Sequence, residues 1–348
     1  MTAPLLSNRQ THRVNTGLLE RHWIVIGLLS IGLMASIGLS LSLGSFPTPP
    51  GQVAGALVSP LESDIAFIIW ELRLPRILLA VLVGAALAVA GAILQGIVRN
   101  PLVSPDVIGI TSGAAMASVL FLALLSAHLS LGWLPLAALS GALFAALLVF
   151  FFAWKGSVSP TRMVLVGIGL SAAMGAVTTL LIVISDDSAA MTAYVWLTGS
   201  LYAAQWHDVM GMLPWLALAM PLCLGHARHL DTLALGDAVA QGLGVNLLRS
   251  RLLLLACSVA LAGAAVAFAG GLSFVGLMAP HMAAKLVGRQ FARLAPASAL
   301  IGALIVLYAD LLGRVAFLPR DLPAGIFVSG IGAPCFVYLL HRTRHRRD

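Results

Sequence analysis

The apolar residues of this chain fall in long continuous runs separated by short polar segments. A run of about 20 residues is long enough to cross the roughly 30 Å hydrocarbon core of a bilayer as an α-helix. Such runs recur from end to end and leave no stretch for a separate soluble domain, so the pattern predicts one polytopic, all-α membrane domain. The candidate segments are 23–44, 74–98, 107–127, 132–154, 162–185, 189–204, 209–225, 251–270, 272–288, 297–319 and 322–340.

The segment 189–204 is the weakest of these candidates. It is short, and its sequence AYVWLTGSLYAAQW mixes aromatic residues with Thr, Gly and Ser. Because it follows Asp186 and Asp187, we interpret it as a re-entrant or interfacial element. Ten membrane-spanning helices remain, and an even number places both termini on the same side.

The basic residues test this count, because cytoplasmic loops of membrane proteins carry an excess of Lys and Arg. With ten spans, 16 of the 20 Lys and Arg residues fall on the cytoplasmic side, and the other four, Arg73, Arg76, Arg314 and Arg320, fall outside. Eleven spans would move the Arg-rich C-terminus outside. The charges therefore favour ten helices with both termini cytoplasmic. The predicted division is an N-terminal tail at 1–22, a ten-helix domain at 23–340 and a basic C-terminal tail at 341–348.

The composition agrees with a membrane location and excludes other classes. The chain is 60% hydrophobic and 9% charged, whereas soluble domains carry about 25% charged residues. Its net charge of +7 follows from basic residues at the edges of apolar segments, so it does not indicate a nucleic-acid partner. The cysteines Cys223, Cys257 and Cys335 lie in apolar runs without C-x-x-C spacing, and we expect small core residues rather than disulfides or zinc ligands.

Sequence motifs for catalysis or for nucleotide binding are missing. The chain has no G-x-x-x-x-G-K-[ST] loop, no H-E-x-x-H and no G-x-S-x-G turn. We therefore predict that it is not an enzyme, binds no cofactor of its own and does not itself hydrolyse ATP. His226 and His229 have no acidic or sulfur ligand in register, so a solvated helix end is favoured over a metal site.

Asp310 and Arg314 interrupt the ninth predicted span. An unpaired charge at that depth costs roughly 2.5–3.5 kcal/mol on insertion scales, and their four-residue spacing allows the two side chains to pair on one helix face. Two interpretations stay open: a structural ion pair, or a protonatable coupling residue at Asp310 in a secondary transporter.

Several blocks of sequence, taken in order, resemble a known family. The blocks are RLPRILLAVLVGAALAVAGAILQGIVRNPLVSPDVIGITSGA at 73–114, LSFVGLMAPHMAAKLVG at 272–288, ASALIGALIVLYADLLGR at 297–314 and DLPAGIFVSGIGAPCFVYLL at 321–340. Together they closely resemble the signature of the iron-siderophore and vitamin B12 permeases of bacterial ABC importers. SPDVIG and LGDAVAQGLGVNLLRSRLLLL look most like the ferric-siderophore members, so a ferric siderophore is the expected substrate, ahead of cobalamin or haem.

The resemblance also implies an assembly and a location. Permeases of this family form a dimer of two ten-helix subunits, with two ABC ATPase subunits docked inside and a binding protein docked outside. The second permease subunit is either a copy of this chain or a relative, and the binding protein is periplasmic or a lipoprotein. We therefore expect a multi-pass protein of the bacterial inner membrane, with ATP and Mg bound by the partner ATPase.

The stretch LQGIVRNPLVSPDVIGITSGA is recognisable as family sequence, but its residue types indicate an architectural role. Pro101 and Pro105 cannot continue the second helix, and Arg99 marks the inner interface. Gly109 and Gly113 permit a close approach of neighbouring helices. We therefore expect the chain to turn back here into the third span.

Coupling to the ATPase is expected in the cytoplasmic loop 230–250. We predict that this loop forms two short helices broken at Gly242 and Gly244, with small residues that suit a docking surface. The candidate coupling residues are Gly236, Asp237, Ala238, Gln241, Gly242 and Gly244.

Two further groups of residues are implied by the resemblance. Arg73, Arg76 and Arg314 match family arginines that meet acidic residues on the binding protein, so we expect Arg73→Glu with Arg76→Glu to weaken docking without lowering membrane abundance. The translocation path is expected along the fifth span, where small residues leave room for a bulky chelate. The candidate path residues are Gly167, Gly169, Ser171 and Gly175.

Overall fold

The computed structural model of the protein describes residues 8–44, 46–60, 63–155, 157–158 and 160–344. The described chain is almost entirely helical, as the all-α prediction requires. The helices are α1 Asn8–Ser42, α2 Pro50–Val58, a π-helical turn Ile68–Arg73, α3 Leu74–Val98, α4 Ile110–Leu124, α5 Leu134–Ala153, α6 Pro160–Ile184, α7 Asp187–Leu197, α8 Trp206–Gly225, α9 Ala227–Ala234, α10 Asp237–Gly242, α11 Leu247–Ala269, α12 Val275–Val287, α13 Phe291–Val315 and α14 Ala324–Arg344. Two-residue strands, β1 Trp154–Lys155 and β2 Ser157–Val158, pair antiparallel between α5 and α6.

Within the described residues, seven helices are long and apolar enough to cross a membrane, and three shorter apolar helices accompany them. The seven are α1, the π turn with α3, α5, α6, α8, α11 and α13. The shorter ones are α4, α12 and the apolar part of α14 at Ala324–Val337. Each of the ten predicted spans therefore coincides with one apolar helix, while sidedness stays a prediction.

The helices α3, α11 and α13 form the centre of the bundle. In the most apolar 18-residue stretch of each of these helices, 83%, 61% and 67% of the residues are buried. The corresponding values for α1, α5, α6 and α8 are 22–33%. Glycines allow this packing: a Cβ on Gly84 of α3 would lie 2.3 Å from the carbonyl oxygen of Gly302 on α13, and one on Gly91 would lie 1.8 Å from that of Gly276 on α12. Close backbone contact through small residues is typical of membrane helices.

The helices α4 and α12 are shorter than the predicted spans 107–127 and 272–288. At 15 and 13 residues, each is only about 20 Å long. Each helix is preceded by a non-helical segment, 99–109 before α4 and 270–274 before α12. Arg99, with a φ of 58°, ends α3 in the left-handed region, and the turn that the proline pattern predicts follows it. Irregular backbone at membrane depth requires cover by protein.

The two non-helical segments cover one another. The Asp106 carboxylate accepts a hydrogen bond from Thr111 Oγ1 at 2.6 Å and another from the backbone N–H of Phe274, just before α12. The Gly109 position also faces Ser171 of α6. The contact at Gly113, whose Cβ would lie 2.4 Å from Gly141 O, confirms the predicted close approach at this glycine.

The weak segment 189–204 contains α7, which at 11 residues is too short to span a bilayer. After α7 the backbone meets the segment between α11 and α12: the Ser200 N–H donates to Ala269 O at 2.9 Å, and a Cβ on Gly270 would lie 2.1 Å from Trp196 O. Its length agrees with the re-entrant or interfacial interpretation.

The predicted tails differ from the observed helix ends. The helix α1 begins at Asn8, inside the predicted tail 1–22, and α14 continues through Arg344, inside the predicted tail 341–348. Residues 1–7 and 345–348 of those tails lie outside the described residues.

Candidate functional site

Both ends of the central helices carry charged clusters. We call them the Arg76 end and the Arg99 end; the positive-inside prediction places the Arg76 end outside the cell and the Arg99 end in the cytoplasm. At the Arg76 end, Arg76 of α3 donates from Nε to both carboxylate oxygens of Asp310 on α13, at 2.9 and 3.0 Å. Its two terminal nitrogens donate to Asp321, before α14, at 2.6 and 2.9 Å. One guanidinium thus joins α3, α13 and the segment leading to α14.

Of the interpretations left open for Asp310, the structure shows an ion pair, but its partner is not Arg314. Asp310 is fully buried and bonds Arg76 instead, because α3 and α13 pack closely enough for the side chains to meet. Arg314 donates to the carbonyl oxygen and the hydroxyl of Ser40 at 2.8 Å. Arg314 therefore holds α1 against α13.

Arg73 also has internal partners. Its guanidinium donates to the carbonyl oxygens of Leu41 and Phe46 and to the hydroxyl of Thr48. The three arginines predicted to dock the binding protein are thus all buried side chains with acceptors inside this chain. Spacing alone does not indicate this, since most of the acceptors lie far away in the sequence.

A cavity of about 860 Å³ opens beside these arginines. Aromatic side chains and three arginines dominate its wall. Its lining includes Phe46, Phe67, Glu71, Arg73, Arg76, Tyr202, Trp206, His207, Arg314 and Asp321. Trp206 donates from its ring nitrogen to Trp70 O at 2.9 Å and thereby anchors the start of α8. The Arg76 end is therefore concave, aromatic and rich in arginine.

The Arg99 end contains the predicted coupling loop 230–250. The stretch 233–246, predicted to form two short helices, contains α10 and the end of α9, which are separated at Gly236 with a φ of 112°. The predicted break at Gly242 and Gly244 is also present, because α10 ends at Gly242 and α11 begins only at Leu247. Gly242 ends α10, and Gly244 makes the following turn with a φ of 82°. The positive φ values of Gly236 and Gly244 suit glycine, which has no Cβ to clash.

The residues proposed for coupling lie at the surface of this loop. Ala238, Gln241, Gly242 and Gly244 are exposed, while Gly236 and Asp237 are half-buried. The sequence interpretation missed three exposed apolar side chains of this loop, Leu235, Val239 and Leu243, with exposures of 65%, 48% and 65%. The signal that could have identified them is the presence of large apolar residues in a loop outside the predicted spans. We call these three residues the apolar ridge.

The opposite face of α9 is packed against the bundle. Leu230 fits against Gly96 of α3, where a Cβ would lie 2.9 Å from its Cγ. Asp231 accepts a hydrogen bond from the backbone N–H of Phe291 at 2.8 Å, and burial raises the pKa of its carboxyl. A smaller cavity of about 240 Å³ lies next to Asp231, with Arg99 and Arg289 in its wall.

The predicted path residues on α6 divide between packed and open positions. Gly167 packs on the segment before α4, where a Cβ would lie 2.8 Å from Val107 O, and Ser171 faces Gly109. A Cβ added to Gly169 or Gly175 would have no neighbouring atom within 4 Å. Of the four, Gly169 and Gly175 are therefore open in the single chain.

Among the described residues, His, Cys, Asp and Glu side chains form no group of three that could hold a metal ion. His226 and His229 stack edge to face with ring centroids 5.4 Å apart, and His226 Nδ1 lies 2.9 Å from Leu222 O. Cys223 and Cys257 are free and buried, and Cys335 is free and half-buried. The chemistry of the described site therefore consists of ion pairs and hydrogen bonds.

A bundle of long apolar helices with charged clusters at both ends defines a multi-pass membrane protein. The FecCD transport family model matches residues 32–342. The chain is 49% identical over 323 residues to the achromobactin transport system permease protein CbrC of Dickeya dadantii (strain 3937), covering 92% of this chain and 93% of the relative. It is 42% identical over 318 residues to the Fe(3+) dicitrate transport system permease protein FecD of Escherichia coli (strain K12), covering 91% and 98%.

A less similar relative and a solved structure also belong to import or transport systems. The chain is 39% identical over 302 residues to the cobalamin import system permease protein BtuC of Halobacterium salinarum, covering 85% of this chain and 80% of the relative. A solved inward-facing metal-chelate type ABC transporter matches the fold with a TM-score of 0.80 and 31% identity, covering 92% of this chain and 99% of that one. This protein belongs to the FecCD transport family, whose members are permease subunits and not enzymes.

Proposed function

We propose that this chain is the permease subunit of an ABC importer that carries a ferric siderophore across the bacterial inner membrane. The observation that carries the proposal is high identity over nearly the whole length to two permeases, 49% to one named for achromobactin and 44% to one named for probable siderophore transport. Further relatives are named for Fe(3+) dicitrate and Fe(3+)-hydroxamate. ATP is hydrolysed on a separate ATPase subunit, because the sequence has no phosphate-binding loop.

The assembly follows from the surfaces. The apolar ridge at the Arg99 end is the docking surface for the ATPase, since apolar side chains on a short polar loop need a partner to cover them. The concave Arg76 end receives the binding protein. Its three arginines, Arg73, Arg76 and Arg314, are bonded within the chain, and Glu71, Asp310 and Asp321 balance their charge. These arginines therefore act by holding the shape of the dock.

The translocation path runs along the open side of α6. Gly169 and Gly175 have open positions there, and Leu165, Ile168 and Val177 are exposed. A second permease subunit, either a copy of this chain or a relative, covers this side and completes the path at the dimer axis. Gly167 and Ser171 instead hold α6 against the segment before α4.

Two alternatives differ in what they predict. A cobalamin or haem permease of the same family would keep the mechanism and change the substrate, and the cobalamin relative is the observation that favours testing it. A proton-coupled secondary transporter would use Asp310. Against this, Asp310 is fully buried in an ion pair with Arg76, which suits a structural role.

The test is uptake in a deletion strain and its complemented parent. Radiolabelled iron is supplied as achromobactin, citrate and hydroxamate chelates, with labelled cobalamin and haem in parallel. Loss confined to one iron chelate supports the proposal and names the substrate. Loss of cobalamin or haem alone would replace the substrate, and uptake that continues without the ATPase would overturn the ABC mechanism.

The Asp310→Asn variant separates the importer from a proton-coupled transporter in the same assay. In an importer, this variant impairs folding more than transport per molecule, and uptake stops entirely when the partner ATPase is deleted. Uptake normalised to permease abundance makes the comparison. A normal abundance of Asp310→Asn with no uptake, in cells whose wild-type uptake survives ATPase deletion, would favour proton coupling.

A further inference from the structure

Two carboxylates tie the inner face of α9 and α10 to the buried helices. Asp231 of α9 accepts a hydrogen bond from Phe291 N–H, the first residue of α13, at 2.8 Å. Asp237 of α10 accepts from Arg251 of α11 at 2.7 Å and lies 3.3 Å from Arg99 at the end of α3. The loop that carries the apolar ridge is thus connected to all three central helices.

The bond from Asp231 fixes the backbone of α13. The first N–H groups of a helix have no partner inside the helix, and the N-cap residue Gln290 provides no side-chain cap. The Asp231 carboxylate takes that role from a different element, and its negative charge suits the positive N-terminal end of the helix. A movement of α9 therefore acts directly on the α13 backbone.

The contacts of Asp237 differ in strength. The Arg251 side chain is 3% exposed, whereas those of Arg99 and Asp237 are 35% and 41% exposed. An exposed ion pair contributes little, so the buried Arg251 is the main anchor. Arg99 adds a weaker bond at the residue where α3 ends.

The central helices continue this connection to the other end of the molecule. The helices α3 and α13 touch along their backbones at Gly84 and Gly302 and are joined at the Arg76 end by the pair of Arg76 with Asp310. They are therefore one unit, held by polar contacts at both ends and by close packing between them.

We propose that Asp231 and Asp237 are positioning residues that transmit ATP-driven movement of the apolar ridge to α3, α11 and α13. This inference rests on the proposed function, because the driving movement comes from a docked ATPase. Without these carboxylates, the ATPase still binds the ridge and hydrolyses ATP, but less of its movement reaches the central helices. The effect is a lower number of chelate molecules transported per ATP hydrolysed.

The experiment uses the complete transporter, permease with ATPase and binding protein, reconstituted in proteoliposomes with the ferric chelate that the uptake panel identifies. Chelate uptake and phosphate release are measured on the same preparation for wild type, Asp231→Ala, Asp231→Asn, Asp237→Ala and Asp237→Asn. Thr232→Ala is the matched control, because the Thr232 hydroxyl bonds Arg228 O within α9. Co-purified ATPase is quantified for every variant.

We expect Asp231→Ala and Asp237→Ala to lower the uptake per ATP by about 3- to 30-fold, the range of coupling effects for residues between two sites. Asp231→Asn keeps an oxygen acceptor and should stay within about twofold of wild type, as should Thr232→Ala. Asp237→Asn preserves the shape of the side chain but loses its charge, so its uptake per ATP should lie between those of wild type and Asp237→Ala. This variant tests the transmission role if an Ala variant does not fold.

Three results are informative beyond this. An unchanged ratio in Asp231→Ala and Asp237→Asn would overturn the transmission role while leaving the importer intact. Loss of co-purified ATPase would place these residues in docking and would also overturn it. If the wild type itself carries no ferric chelate with its partners, the proposed function fails instead.

Discussion

Arg76 and Asp310 are 234 residues apart in the sequence and form a two-pronged ion pair between α3 and α13. Asp310 is fully buried, and Asp321 accepts from both terminal nitrogens of the same guanidinium, one of which also lies 2.8 Å from Asp310. A buried charge is tolerated when it is paired and hydrogen-bonded. The pair forms only when α3 and α13 have packed in this register, so it specifies the register as well as the contact.

Asp310→Ala should destabilise the protein strongly. Removing one partner of a buried ion pair costs about 3–5 kcal/mol, because the other charge is left uncompensated. The expected results are reduced membrane abundance and a lower melting temperature of the purified protein in detergent. Arg320→Ala is the control, since Arg320 is exposed, and a wild-type melting temperature in Asp310→Ala would contradict the structural role.

Arg73→Glu combined with Arg76→Glu should lower membrane abundance. The sequence alone predicts weaker docking at normal abundance, but in the structure the new carboxylate at position 76 would face Asp310 and Asp321. Like charges in a buried site cost several kcal/mol, on the order of a broken buried pair. Immunoblots of membranes measure the effect; full abundance of the double variant would show that the buried bonds are dispensable and would restore the sequence-based expectation.

The helices could be predicted because the length of an apolar run is read from consecutive residues, and each predicted span coincides with an observed helix. The partner of Asp310 could not be predicted, because the choice between Arg76 and Arg314 depends on the packing of α3 against α13. For the same reason the sequence placed Gly167 and Ser171 in the path: small residues serve both a path and a close helix contact. The predicted spans of α4 and α12 begin too early because the few residues just before each helix, at 107–109 and 272–274, continue the apolar run.

Gly91→Ala should prevent correct packing. Its Cβ would lie 1.8 Å from the carbonyl oxygen of Gly276, a backbone atom that cannot rotate away. Gly330→Ala is the matched control in α14, because nothing lies within 4 Å of its Cβ position. Membrane abundance and melting temperature should fall for Gly91→Ala and stay at wild-type values for Gly330→Ala; equal values for both would show that α3 and α12 separate more easily than the structure indicates.

Replacing two residues of the apolar ridge, Leu235→Ser with Leu243→Ser, should weaken ATPase binding. Each leucine is 65% exposed in the isolated chain, and burying a Leu side chain in an interface contributes about 1.5–3 kcal/mol. The measurement is the amount of ATPase that co-purifies with the permease. Leu131→Ser removes an exposed leucine at the opposite end and serves as control. Undiminished ATPase binding in the double variant would exclude the ridge as the docking surface.

The stability of the Arg99 end should depend on pH through Asp231. Burial raises the pKa of this carboxyl above its ordinary 3.8, so just above that value the folded protein binds more protons than the unfolded chain, and stability falls as pH rises through the shifted pKa. Asp231→Asn keeps an acceptor for Phe291 N–H and cannot ionise. Its melting temperature should therefore rise relative to wild type between about pH 4 and pH 7, while Asp231→Ala, which leaves that N–H without its partner, should melt below both throughout. A difference between wild type and Asp231→Asn that shrinks or reverses with rising pH would show that the charge of Asp231 at the start of α13 outweighs the cost of burying it.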